Sequence, residues 1–282
     1  MLTIGLVELD GQTLDYFPSS GDSWKLVRLI ARGGRVPARA YADPKLDAVA
    51  FLGSNIKKLH FAERALLHGK HVLADFPASG TVESARKFEA IAIGKELHVY
   101  SPNLLKNEPG FQELKRVSCN PTSKMLSLTV TCGVSAKFKG HEFQMKLAQL
   151  FDVLEWLGNS KITDISVEKS TQRLPAAALV ALGSFENGVK TLLNVYSIPA
   201  SKRSRLWVDV VFKDSFVHVD PYVQSIRIIR FQDKSIEELN WATSALVSLI
   251  EDFVSRIYSE REPLDLVNLE RMLNLASSVI GG

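Results

Sequence analysis

Leu46-Asp47-Ala48-Val49-Ala50-Phe51-Leu52, then Lys57 to His68, then His71-Val72-Leu73-Ala74-Asp75-Phe76-Pro77 is the stretch whose reading decides the fold. The first run is short, apolar and entered from Asp43-Pro44, which predicts a buried strand. Between Lys57 and His68, Leu59, Ala62, Ala65 and Leu66 recur at helical spacing, and Gly69 follows as a stop. His71–Ala74 then predicts a second strand. A strand, a helix and a strand in close succession build a parallel, doubly wound sheet.

The same pattern extends on both sides. Leu2–Leu9 and Trp24–Ala31 read as earlier strands, Val82–Gly94 as a helix capped by Thr81 or Ser79, and Leu97–Tyr100 as a further strand. After residue 120 the character changes. Met125–Val134 alternates apolar and polar residues, the period of a half-exposed strand. A helix pattern covers Glu142–Leu157 and is stopped by Gly158. Strand patterns follow at Ile162–Glu168, Ala178–Phe185, Lys190–Ser197 and Leu206–Val219, with Asn187-Gly188 as a hairpin turn. Two helix patterns close the chain, Ile236–Tyr258 and Leu264–Val279. Ser118, Asn120, Pro121, Thr122 and Ser123 cluster near a boundary, which divides 1–120 from 121–282. The expected class is α/β followed by α+β: a truncated parallel sheet, then an open-faced antiparallel one.

Composition narrows the function. The 282 residues carry 34 basic and 31 acidic side chains, a net charge of +3, with 46% hydrophobic and 23% charged residues. These proportions exclude a disordered or collagenous chain. No run of like charges marks a nucleic-acid or membrane surface. The longest apolar stretches, such as Ala176–Leu182, are too short to span a bilayer, and the N-terminus lacks a basic n-region. Cys119 and Cys132 show no metal or redox spacing, so no metal is expected and a reduced, cytoplasmic setting is.

Asp47-Ala48-Val49, Asn55 and the run Ala65 to Pro77, with Gly69-Lys70-His71-Val72 at its centre, resemble the N-terminal domain of the Gfo/Idh/MocA oxidoreductases. Gln149–Gly158, the Ala178–Ser197 hairpin and Pro263–Ser278 resemble that family's second domain. The likeness runs from about residue 46 to the end of the chain. It implies a Rossmann domain, then a sheet whose open face often joins subunits, and NAD(P)-dependent chemistry on sugars and related small molecules.

The residues that would carry this chemistry are altered. The glycine positions of G-x-G-x-x-G fall on Glu8, Asp10 and Thr13. Two carboxylates would face phosphates there, each contact costing on the order of 4 kcal/mol at 4 Å and an effective dielectric of about 20. Gly11 alone still permits a tight turn. The crossover after the first strand is broken by Pro18, Ser19, Ser20 and Gly21, and the usual second crossover helix is missing after Arg32-Gly33-Gly34-Arg35. Arg32 stands where an arginine reads the phosphate of NADP.

The resemblance carries four further positions. The family's Glu-Lys-Pro becomes Asp75-Phe76-Pro77, so the donor lysine is replaced by a ring while the proline turn survives. Its Asp-x-x-x-His-x-x-Asp becomes Met145, Gln149 and Asp152, and neither Met145 nor Gln149 transfers a proton at neutral pH. Its Asn-x-x-His becomes Asn55 and Lys58, and His60 does not substitute. Asn103 and Lys106 lie where the family often contacts substrate.

Lys106 and His141, the latter read as part of a loop, are the only candidates to replace the missing acid, and no catalytic residue is assigned. Lys146 points about 100° from Met145 on an ideal helix. Four altered elements predict a degenerate, non-catalytic member of the family that has no need of a cofactor. It would be a small-molecule sensor or a partner subunit, joined as a homodimer or hetero-oligomer through the second sheet. The alternative is an NAD(P)-dependent oxidoreductase with an atypical site that uses Arg32 and Lys106 or His141. Leu206, Val208, Val210, Phe212 and Phe216 are candidates for the joining face.

Overall fold

A computed structural model describes residues 1–8, 20–30, 41–51, 57–74, 81–120, 123–135, 140–169, 178–198, 205–241, 245–259 and 263–281. The chain divides into two compact units, Met1–Leu104 with Ala245–Leu273, and Leu105–Ser244 with Asn274–Gly282.

The first unit holds five parallel strands, β1 (Leu2–Glu8), β2 (Trp24–Ile30), β3 (Ala48–Phe51), β4 (His71–Ala74) and β5 (Val99–Tyr100). Their order is β2-β1-β3-β4-β5, so the chain reverses direction across the sheet between β1 and β3. Ligands of doubly wound sheets sit at such a switch point. Continuous apolar runs form these strands because both faces are buried. On one face Val7, Val49, Phe51 and Val72 pack with Phe61, Ala65 and Leu66 of α1 (Lys57–Leu67) and Phe88 of α2 (Val82–Gly94). On the other, Ile4, Leu6, Ala48, Ala50 and Leu73 pack with Leu249, Ile250 and Phe253 of α5 (Ala245–Ile257). Thr81 caps α2, its hydroxyl accepting from the Ser84 N–H at 3.1 Å.

The Gly-Lys-His-Val run has a structural part here. Gly69 takes φ +75°, the left-handed turn that ends α1. The buried Lys70 ammonium donates to the carbonyls of Asp43 (2.9 Å) and Leu46 (2.6 Å), tying β4 to the entry of β3. His71 Nδ1 accepts the His98 N–H at 3.0 Å, which ties β4 to β5.

The second unit holds eight strands in the order β13-β12-β11-β10-β6-β9-β8-β7. They are β6 (Met125–Ser135), β7 (Ile162–Lys169), β8 (Ala178–Phe185), β9 (Lys190–Ile198), β10 (Leu206–Phe212), β11 (Ser215–Asp220), β12 (Ser225–Arg230) and β13 (Ile236–Asn240). Only β6 and β9 pair in parallel. Here burial alternates, so one face is a core and the other is not. Leu128, Val130, Val208, Val210, Phe212, Val217 and Val219 are fully buried. On this unit α3 (Pro109–Ser118) packs against β11 and α4, and α4 (His141–Gly158) against β6. The opposite face carries Leu182, 53% exposed, and the half-buried Leu192, Trp207, Val211 and Phe216. Among the described residues no helix of this unit lies on it. The last helix is α6 (Leu266–Gly281).

Four expectations are corrected. Val208, Val210 and Phe212 belong to the core and not to an open face; of that set Phe216 alone sits opposite, paired with Val211. Leu206–Val219 is two strands, because Lys213-Asp214 turns the chain. Ile236–Asn240 is a strand in register with β12, so the helix expected over Ile236–Tyr258 is confined to α5. His141 is the first residue of α4 and not part of a loop.

Candidate functional site

Helix α4 follows Gly140, whose φ of +51° turns the chain into it, and ends at Asn159 in the left-handed region. Its apolar residues are buried on nearly every side, which obliges polar residues on the same helix to find partners. Asp152, 4% exposed, accepts from the Lys106 ammonium at 2.7 Å. Gln149, 5% exposed, accepts from the Lys146 ammonium at 3.2 Å. Met145 is 2% exposed and apolar.

Lys106 comes from the short 3-10 helix Leu104–Asn107, whose backbone is held by the Gln112 side chain donating to the Lys106 carbonyl. Lys106 and Asp152, expected separately, are thus brought together. Lys146 shares a side with Gln149, three residues on. His141 lies with Nδ1 3.3 Å from Gln144 Oε1, and Gln144 donates in turn to Ser277 at 2.8 Å. On β6 the Cys132 thiol is pushed up by burial, opposed by the Lys146 charge.

One residue went unread in the sequence. Glu108 occupies the N-cap of α3 but makes no side-chain cap bond. Burial pushes its carboxyl up to about 7, the range suited to a general acid or base. No motif or spacing announces it; only burial does.

In the first unit Asn103 is buried, 4% exposed. Gly11, Arg32, Asn55, Asp75, Phe76 and Pro77 lie outside the described residues, as do Asp10 and Thr13. At the end of β1, Glu8 is still in register with Ile30 of β2. The strand therefore runs through the position where the first glycine of a phosphate loop turns away. Before β2, Ser20 bridges Lys25 and the Gly21 N–H donates to the Trp24 carbonyl at 2.9 Å. Among the described residues no group of three or more His, Cys, Asp or Glu is placed to hold a metal ion, and no helix is long and apolar enough to cross a membrane.

No protein-family model and no curated protein sequence matches the chain. Solved structures do. It is similar to UDP-N-acetylglucosamine 3-dehydrogenase of Acidithiobacillus ferrooxidans, 17% identical over 98% of this chain and 96% of that one, with a TM-score of 0.72. A dehydrogenase of Chromobacterium violaceum is 12% identical over 100% and 95%, with a TM-score of 0.75. Biliverdin reductase of Synechocystis sp. PCC 6803, solved with biliverdin and NADP+, is 14% identical over 100% and 99%, with a TM-score of 0.69. With its parallel five-stranded sheet and its mostly antiparallel second sheet, the chain has the two-domain fold of the Gfo/Idh/MocA oxidoreductases.

Proposed function

We propose that this chain keeps an oxidoreductase scaffold without its hydride chemistry, and serves in the cytosol as a small-molecule sensor or as the partner subunit of an active relative. The observation that carries this reading is the buried side of α4. Met145 and Gln149 do not ionise, and Asp152 is engaged by the Lys106 ammonium. Glu8, where the resemblance puts the first loop glycine, still pairs with β2, and this supports it. The open face around Leu182, Trp207, Val211 and Phe216 is our candidate for contact with a second copy or a relative.

Calorimetric titration with NADH and with NADPH tests the reading. No heat up to millimolar cofactor is expected. Binding at a low micromolar Kd, about −8 kcal/mol, overturns it. A second reading, an NAD(P)-dependent oxidoreductase with an atypical site, is favoured by Glu108, whose carboxyl titrates near 7 two residues from Lys106. That reading predicts turnover with a sugar or related substrate that is lost in Glu108→Gln.

A further inference from the structure

Among the described residues, the two faces of the parallel sheet are unequally covered at β2. In register with Lys25, Val27 and Leu29 of β2 stand Thr3, Gly5 and Val7 of β1. Gly5 has no side chain, and Leu29 and Leu46 close over it; a Cβ there would lie 2.5 Å from Leu29. Beside them Val27, on the edge strand β2, is 41% exposed. A hollow of about 580 Å³ opens at this place.

Val27, Leu29 and Leu46 supply its apolar lining, and Lys25 and Lys45 are charged residues on its wall. Asp43 is the acidic residue of the lining; its Oδ1 accepts the Lys45 N–H at 2.9 Å, and its carbonyl holds Lys70. The balance of the lining is one positive charge. The volume is that of a small-molecule pocket. Thr3, Lys25 and Leu46 lie at the starts of their strands or just before, the end opposite to the switch-point corner.

We propose that this hollow binds an organic monoanion with an apolar body, a medium-chain or aryl carboxylate. Its hydrocarbon lies on Val27, Leu29 and Leu46, and its carboxylate meets the ammonium groups of Lys25 and Lys45. Apolar contact drives the binding, and the lysines select the charged head. The inference is independent of whether a dinucleotide binds, because none of these residues belongs to the corner after β1.

Titration of the full chain with octanoate, followed by amide chemical shifts and calorimetry, is the test. Binding at a submillimolar Kd is expected, with shifts at Lys25, Val27 and Lys45. Octanol, of the same length without the charge, should bind about tenfold more weakly, as should octanoate to the double variant K25E/K45E. Both lysines are exposed, so this variant should keep its circular dichroism and Tm. Val27→Asp is a second probe and should weaken octanoate to a similar degree. Failure of octanoate to bind, shifts confined to other residues, or an unchanged Kd in K25E/K45E overturns the proposal.

Discussion

The two sheets bury the same kinds of side chain in different ways. All four residues of β3 are buried, and so are three of the four in β4. In β10, buried and half-buried residues alternate from Val208 to Phe212. Among the described residues, the first sheet has helices on both faces and the second on one. A substitution in β3 or β4 should therefore cost much the same on either face of the first sheet, but very different amounts on the two faces of the second.

The largest effect should come from Phe51→Ala. Phe51 is fully buried and stacks on Phe61 with ring centroids 6.5 Å apart. Loss of the ring leaves a cavity and costs roughly 3–5 kcal/mol, read as a lowered urea midpoint with unchanged m-value. Its counterpart on the second sheet is Leu182→Ala, at 53% exposure. There a change within about 0.5 kcal/mol is expected for the isolated chain. A cost near that of Phe51→Ala would mean that the open face is covered in solution, and would turn attention to the oligomeric state.

Next comes the ion pair of α4. The Asp152 side chain is 6% exposed and that of Lys106 is 27% exposed. Asp152→Asn removes the charge that holds the ammonium and should cost roughly 1–3 kcal/mol. Adding Lys106→Met should recover much of this, because a buried pair is often worth little more than an apolar replacement. No recovery in the double variant would show that Lys106 is held by more than Asp152.

How much of this was legible beforehand differs between the sheets for the same reason. Leu46–Ala74 was readable because strands buried on both faces are uninterrupted apolar runs, and Gly69 marks the helix end without ambiguity. The hairpin at Asn187-Gly188 and the helix of Met145, Gln149 and Asp152 were readable from period and turn chemistry. Ile236–Asn240 was not. Its sequence, Ile-Glu-Glu-Leu-Asn, has the spacing and the acidic residues of a helix, and only pairing with β12 makes it a strand. Helix α3 was missed because Pro109-Gly110 reads as a turn. In the structure the proline occupies the first turn, where its missing N–H costs nothing, and Gly110 lies against Trp241. At the site each partner of the Lys106–Asp152 pair was identified singly. Their contact joins positions 46 apart and leaves no local trace, and Glu108 shows only through its burial.

A pH profile sharpens the comparison from the side of the first sheet. His71 is pushed down to about 4, first by burial and then by the charge of His98, with Asp47 opposing. Its Nδ1 accepts the His98 N–H and has no room for a proton. Below pH 6.5 the unfolded chain takes up a proton that the folded chain refuses. Stability is therefore full above about 6.5 and falls progressively as the pH drops toward 4. Because the ring is partly exposed, a loss of about 1–2 kcal/mol is expected. Chemical denaturation at pH 7.5 and 4.5 measures it, and His71→Gln should flatten the slope. An equal slope in the variant would assign the acid sensitivity to other groups.

A smaller effect than that of His71 belongs to the second sheet's hairpin. Asn187 donates from Nδ2 to the Gly158 carbonyl at 3.0 Å and accepts the Val189 N–H on Oδ1 at 3.2 Å. Its own N–H donates to the Ser160 hydroxyl at 3.2 Å. One side chain thus joins the end of α4 to the β8–β9 turn. Asn187→Asp keeps the acceptor but replaces the donor with a carboxylate facing the carbonyl end of a helix. Loss of that bond and repulsion by the helix terminus should together cost about 1 kcal/mol at neutral pH. Asn187→Ala loses both side-chain bonds but introduces no charge. If the Asn187→Asp variant proves the less stable, the repulsion at the end of α4 dominates; if Asn187→Ala does, the Val189 bond that shapes the turn matters more. Either order is resolvable by thermal unfolding, because the carboxylate effect disappears at a pH where the introduced carboxyl group is protonated and the loss of the Val189 bond does not.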